Sequence, residues 1–240
     1  MLLADSLSID GHHAPLLRPT SLVAPASELT IVSAPTQESR TALSLGLSAR
    51  MKPDGGSVAW EADADIRAVR HVSALVDSPE INEPEQHLRV KDLVAEDLAL
   101  LPGPFWGTVS PARWLASHRL DHLANEWVDA IEAEDRLHLL ASLSLQDSNV
   151  KLLVFDSPDR HDLADSDWVR ILQSVAAGRR QPAVVAVVQR IPEEWDGRTA
   201  VAEQDNLPHP ELETAAAAEN ASEPDADTTA LDTTDRETDA

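Results

Sequence analysis

A run of five aliphatic residues, Val184-Val185-Ala186-Val187-Val188, constrains the fold of this chain more than any other feature. A strand with one face in water alternates apolar and polar side chains. An unbroken β-branched run therefore belongs to a strand covered on both faces, as in a parallel sheet. Three other short apolar runs, at residues 29–32, 72–76 and 152–155, share that character. Between them lie segments with apolar residues at helical spacing, at 40–51, 90–101, 111–130, 134–145 and 166–177. Strand and helix alternate, which predicts an α/β domain on a mostly parallel sheet with helices on both faces. Amphipathic pieces at 2–9, 16–23 and 56–60, set off by Asp10-Gly11 and Pro53-Asp54-Gly55, predict an antiparallel flank near the N-terminus. Residues from about 83 to 147 are mostly helical and broken by Pro102-Gly103-Pro104, which suits a helical subdomain inserted between core strands.

The charge is unevenly spread. Residues 193–240 carry fifteen Asp and Glu against two arginines, more than half of the formal net charge of −23. With hardly any large apolar residue after Trp195, that stretch cannot bury enough surface to offset its ordering entropy. The expected organisation is a domain over 1–192 followed by a disordered acidic tail over 193–240. Net acidity argues against a nucleic-acid partner, because neutralising phosphates needs a basic face. The absence of cysteine excludes disulfides, thiolate catalysis and Cys-ligated zinc. The start of the chain lacks the basic and apolar regions of a signal peptide, and its longest apolar run falls far short of the roughly 20 residues a bilayer needs. A cytoplasmic chain without direct membrane insertion is expected, with any membrane role running through a partner.

The chemically informative stretch runs from Leu29-Thr30-Ile31-Val32 through Ser33-Ala34-Pro35-Thr36-Gln37-Glu38-Ser39-Arg40-Thr41: a strand, a short polar loop and the start of a helix. Main-chain N–H groups and a helix N-terminus can cradle an anion at such a junction. Set against the phosphate-loop pattern G-x-x-x-x-G-K-[ST], Ala34 and Ser39 stand for the glycines, Arg40 for the lysine and Thr41 for the hydroxyl. Elsewhere, His118 and His122 lie at i and i+4, a spacing that can hold zinc. Arg119 stands where a zincin has its glutamate and no third ligand is evident, so packed or exposed histidines are expected there.

From this loop onward the chain resembles the ATP-binding subunits of ATP-binding cassette (ABC) transporters. The stretch Leu45-Gly46-Leu47 to Gly56-Ser57-Val58 is similar to the helix, turn and strand that come after the phosphate loop in that family. Asp77 falls at the Q-loop glutamine, and Arg89-Val90-Lys91-Asp92-Leu93 resembles the start of the helical subdomain. Ala130-Ile131-Glu132-Ala133-Glu134 takes the place of the signature motif, and Leu152-Leu153-Val154-Phe155-Asp156-Ser157-Pro158 looks like the Walker B strand. Gln189 sits at the switch histidine.

The resemblance covers about residues 1–192 and implies a P-loop NTPase-like fold. It implies ATP at Ala34, Thr36, Gln37, Ser39, Arg40 and Thr41, and Mg²⁺ at Thr41 and Asp156. It also implies docking on a membrane-embedded transporter-like subunit at the inner face of the membrane, and pairing with itself or another ABC ATPase domain. The departures point to eroded activity. Arg40 is not an equivalent substitute for lysine, and the loop has lost the glycines that let a backbone approach phosphates. Ser157 cannot serve as a general base at neutral pH, and Gln189 cannot do a histidine's proton chemistry. The expectation is weak ATP binding with little or no hydrolysis; the alternative is a nucleotide-free scaffold that keeps only the fold.

Overall fold

The computed structural model describes residues 1–101 and 109–208. The chain runs through β1 (Leu2–Ile9), β2 (Leu17–Ala24), β3 (Leu29–Ser33), α1 (Gln37–Leu47), β4 (Gly55–Trp60), α2 (Ile66–Val72) and β5 (Ser73–Val76). It continues through α3 (Val90–Ala99), α4 (Pro111–Ser117), α5 (Ala133–Ser144), β6 (Leu152–Asp156), α6 (Asp165–Ala176), β7 (Ala183–Val188) and β8 (Arg198–Val201). Five strands form one sheet in the order β5-β6-β7-β3-β8, every neighbouring pair parallel. The other three form an antiparallel sheet in the order β2-β1-β4.

The aliphatic runs are central strands for the reason their composition suggests. Alternate residues of a strand point to opposite faces. In β7, Val184, Ala186 and Val188 enter one core with α3, α4, α5 and α6, while Ala183, Val185 and Val187 enter a second with α1 and the antiparallel sheet. All six are fully buried. Val32 and Ile31 of β3, and Val154 and Phe155 of β6, divide between the two cores in the same way. The architecture is thus a parallel sheet covered on one face by helices and on the other by α1 and the small sheet.

Three expectations need correction. Residues from 72 on are not all strand, because Val72 ends α2 and β5 begins at Ser73. The seven-residue α2 itself leaves little mark on the sequence. It is fixed by Asp65, whose side chain accepts from the Arg67 N–H, and it buries only Val69, so it shows no apolar period. The expected helix over 111–130 ends at Ser117. Arg119 turns left-handed (φ 61°), and the residues beyond serve α3, which has no side-chain cap of its own. Its first N–H groups, on Val90 and Lys91, instead donate to the carbonyls of Glu126 and Ala124.

The domain boundary also lies later than Pro192, since one compact unit spans Met1–Leu207. β8 pairs in parallel with β3, and Ala200 and Ala202 beside it are buried. Of its four side chains only that of Ala200 is buried, so the strand is held through backbone pairing that composition does not reveal. The second unit, from Pro208 on, lies outside the described residues after its first residue, and with it most of the expected acidic tail. Pro102-Gly103-Pro104 also lies outside the described residues.

Candidate functional site

The loop between β3 and α1 opens at the C-terminal ends of the parallel strands, where open α/β sheets place their ligands. It is shorter than a phosphate loop. The helix begins at Gln37, three residues before Arg40, because Thr36 and Ser39 form a reciprocal cap: Thr36 Oγ1 accepts from the Ser39 N–H at 3.1 Å, and the Thr36 N–H donates to Ser39 Oγ at 3.3 Å. Backbone nests that hold anions need alternating right- and left-handed residues, and none of residues 34–41 has a positive φ. Glu38 lies in the first helical turn, exposed to solvent.

The side chains beyond the cap converge on Asp156, at the end of β6. Thr41 Oγ1 donates to Asp156 Oδ2 at 2.7 Å, and Ser78 Oγ donates to the same oxygen at 2.7 Å. The hydroxyl of Ser157 at 2.9 Å and the amide of Gln37 at 3.3 Å approach Oδ1. Asp156 is 1% exposed and Ser157 is fully buried, in a left-handed conformation (φ 56°) that turns its hydroxyl back toward α1. Arg40 closes the arrangement. Its Nε donates to Ser157 Oγ at 2.8 Å, one terminal nitrogen to the carbonyls of Ala34 (3.1 Å) and Pro35 (3.3 Å), and the other to Gln37 Oε1 at 2.9 Å. Gln37 also donates to Thr41 Oγ1 at 3.0 Å.

The structure therefore brings together Ala34, Gln37, Arg40, Thr41, Asp156 and Ser157, and it uses Thr36 and Ser39 to cap α1. Gln189 stands apart: its side chain is exposed and its main-chain N–H donates to Asp159. The Asp156 carboxylate accepts from four side chains, as many as its lone pairs can serve, so Mg²⁺ would have to displace at least one of them. The loop as folded offers a nucleoside triphosphate little. Its N–H groups are partly capped, no nest exists, and the one cation is folded onto loop carbonyls and Ser157.

Beside this network is a charged cluster the sequence did not disclose. Asp77 follows β5 in a left-handed turn (φ 53°) and is 4% exposed. Arg136 of α5 holds it with two hydrogen bonds, of 2.8 and 3.2 Å, Arg160 lies at 3.0 Å and His161 at 2.7 Å. Burial alone would raise the Asp77 carboxyl, but the hydrogen bonds from His161 and Arg136 and the charges of Arg136 and Arg160 outweigh it and hold the group far below the usual carboxylate range. Arg160 also donates to the carbonyl of Asp156, so the two clusters are continuous. Of this cluster the sequence marks Asp77 alone, at the Q-loop position.

The histidines at 118 and 122 do not converge. His118 stacks on Trp114 with ring centroids 4.0 Å apart, and His122 faces Asp135 at 3.6 Å. Among the described residues no group of three or more His, Cys, Asp or Glu could hold a metal ion. No helix among them is long and apolar enough to cross a membrane.

The chain has the fold of solved ABC transporter ATP-binding cassettes. Solved structures carry the comparison. A protein from Pyrococcus furiosus described as an ABC transporter ATP-binding protein superposes with a TM-score of 0.61 at 15% identity, over 83% of this chain and 96% of that one. A bacterial ABC transporter cassette solved as a dimer gives 0.64 at 13% identity, over 86% and 97%. A protein from Clostridium perfringens that is part of an ABC transporter complex gives 0.57 at 12%, over 79% and 78%. No family model and no curated protein matches the chain.

Proposed function

We propose that this chain is a non-hydrolysing subunit with the ABC cassette fold, acting through contacts with other proteins rather than through ATP turnover. The observation that supports this reading is the closed network in which Arg40, Gln37, Thr41, Ser78 and Ser157 satisfy one another and Asp156. A nucleotide would have to break several of these bonds to enter, and each bond to a charged group contributes about 1.5–3 kcal/mol. No carboxylate stands at position 157 to activate a water. By analogy with the cassette that forms a dimer and the one that belongs to a transporter complex, we assign it a cassette-type partner and a membrane-embedded subunit. The described helices between residues 83 and 147 are then the docking element, at the cytoplasmic face of the membrane.

Thr41 and Asp156, in contact at 2.7 Å, favour a second reading, weak Mg·ATP binding after Arg40 swings outward. Thermal unfolding with Mg·ATP separates the two. Ligand at ten times its Kd stabilises the native state by about 1.4 kcal/mol, a rise of roughly 3–5 °C for a domain of this size. The scaffold reading expects no shift up to millimolar Mg·ATP. A saturable rise that vanishes in Asp156→Asn would replace it with the weak-binding one.

A further inference from the structure

The sequence carries 42 acidic against 19 basic side chains, so several arginines brought together on one cleft stand out. Arg18, Arg136, Arg160, Arg170, Arg190 and Arg198 each have a carboxylate within 3.8 Å. Among the described residues nine arginines have none, and three of these, Arg50, Arg67 and Arg70, surround one cleft. It lies between α2 and the start of β5, has a volume of about 420 Å³, and is also lined by His71 and Ser73.

The cluster is built rather than scattered. Arg67, Arg70 and His71 lie at i, i+3 and i+4 on α2 and so share a face. Arg50 comes from the segment after α1 and is pinned by neutral acceptors: the Ser48 carbonyl at 2.7 Å, Ser73 Oγ at 2.7 Å and the Ser73 carbonyl at 2.9 Å. Arg70 is held by Nε on the Ala49 carbonyl at 2.8 Å. The guanidinium of Arg67 has no hydrogen-bond partner among the described residues. Asp147, the one acidic side chain on the cleft, is engaged with the main chain and amide of Asn149.

Cations in the last turn of a helix suit its dipole, which accounts for Arg70 and His71. It does not account for Arg67, the second residue of α2, where the dipole disfavours a cation, or for Arg50 from another segment. Burial and the neighbouring Arg70 charge both push the Arg50 guanidinium below its ordinary pKa. Three guanidiniums exceed the charge one carboxylate can neutralise; Arg50 and Arg70 spend N–H groups on neighbouring acceptors and add charge, while the Arg67 fork is the one left to meet the tetrahedral oxygens of phosphate.

We propose that the cleft lined by Arg50, Arg67, Arg70 and His71 binds a phosphate group, carried either by a soluble phosphomonoester or by an anionic lipid headgroup. Two titrations test it at fixed ionic strength: calorimetry with inorganic phosphate, and co-sedimentation with phosphatidylglycerol against phosphatidylcholine vesicles. Each is repeated with Arg67→Ala, whose guanidinium has no structural bond to lose, and with Arg18→Ala, which removes a charge elsewhere. A soluble ligand gives saturable phosphate binding weakened about tenfold by Arg67→Ala and unchanged by Arg18→Ala. A lipid ligand gives sedimentation with phosphatidylglycerol only, lost in Arg67→Ala, without binding of free phosphate. Absence of binding in both assays, or binding indifferent to Arg67→Ala, overturns the assignment.

Discussion

Asp77 and Asp156 are both nearly inaccessible carboxylates at strand ends, yet they are satisfied by opposite chemistry. Asp156 takes neutral donors, two hydroxyls from neighbouring strand ends, one from α1 and an amide. Asp77 lies against the guanidiniums of Arg136 and Arg160 and a ring nitrogen of His161. Removing one partner of a buried ion pair strands the other, and this costs about 3–5 kcal/mol. Because Arg136 and Arg160 retain some solvent, Asp77→Asn is expected to cost about 3 kcal/mol at neutral pH, read as a lower urea midpoint at unchanged slope. The folded carboxyl titrates below its unfolded value of about 3.9, so its contribution is complete above that value and is lost as the pH falls further. The gap between the two proteins should hold from about pH 7 to about pH 5 and narrow below about pH 4. A gap that stays constant into strong acid would mean that the charge on Asp77 does not stabilise the fold.

At the scale of elements, the strands were legible and the connections less so. The runs at 29–32, 152–155 and 184–188 needed no context, since a strand buried on both faces must be apolar throughout. α2 and β8 escaped because one buries a single valine and the other is held by backbone pairing. The site was partly legible. The junction of β3 with α1 and the approach of Thr41 to Asp156 follow from the order of motifs, whereas Ser78, Arg136, Arg160 and His161 are distant in sequence and meet only through the fold. Thr36 shows how one residue supports two readings. As a phosphate-loop position it would lend its N–H to a ligand, but as an N-cap it spends its side chain on the Ser39 N–H. Thr36→Ala is therefore expected to cost about 1 kcal/mol and lower the melting temperature by roughly 2–4 °C, with Mg·ATP added or not. A loss of stability seen only with nucleotide present would restore the ligand-binding role.

For the molecule as a whole, the position of β8 decides where the folded domain ends. Composition alone sets that limit at Pro192, because the residues after it are polar, acidic and poor in large side chains. The structure carries the chain back across the sheet instead. β8 forms the outer parallel ladder on β3, the Ala202 N–H donates to the Ser33 carbonyl at 2.8 Å, and the Asn206 amide donates to the Ser21 carbonyl at 2.9 Å. The last two contacts join the end of the strand to β3, which leads into the candidate site, and to β2 of the small sheet. Truncation after Pro192 would expose the buried backbone edge of β3 together with Val32 and Ala34, the residues that lead into α1. Truncation after Pro208 removes none of these contacts. The first variant is expected to lose several kcal/mol, with an earlier urea midpoint and faster hydrogen exchange in β3 and α1, while the second keeps the full-length midpoint. Equal midpoints for the two truncations would show that β8 is only an appendage, and the domain would then end where its composition changes.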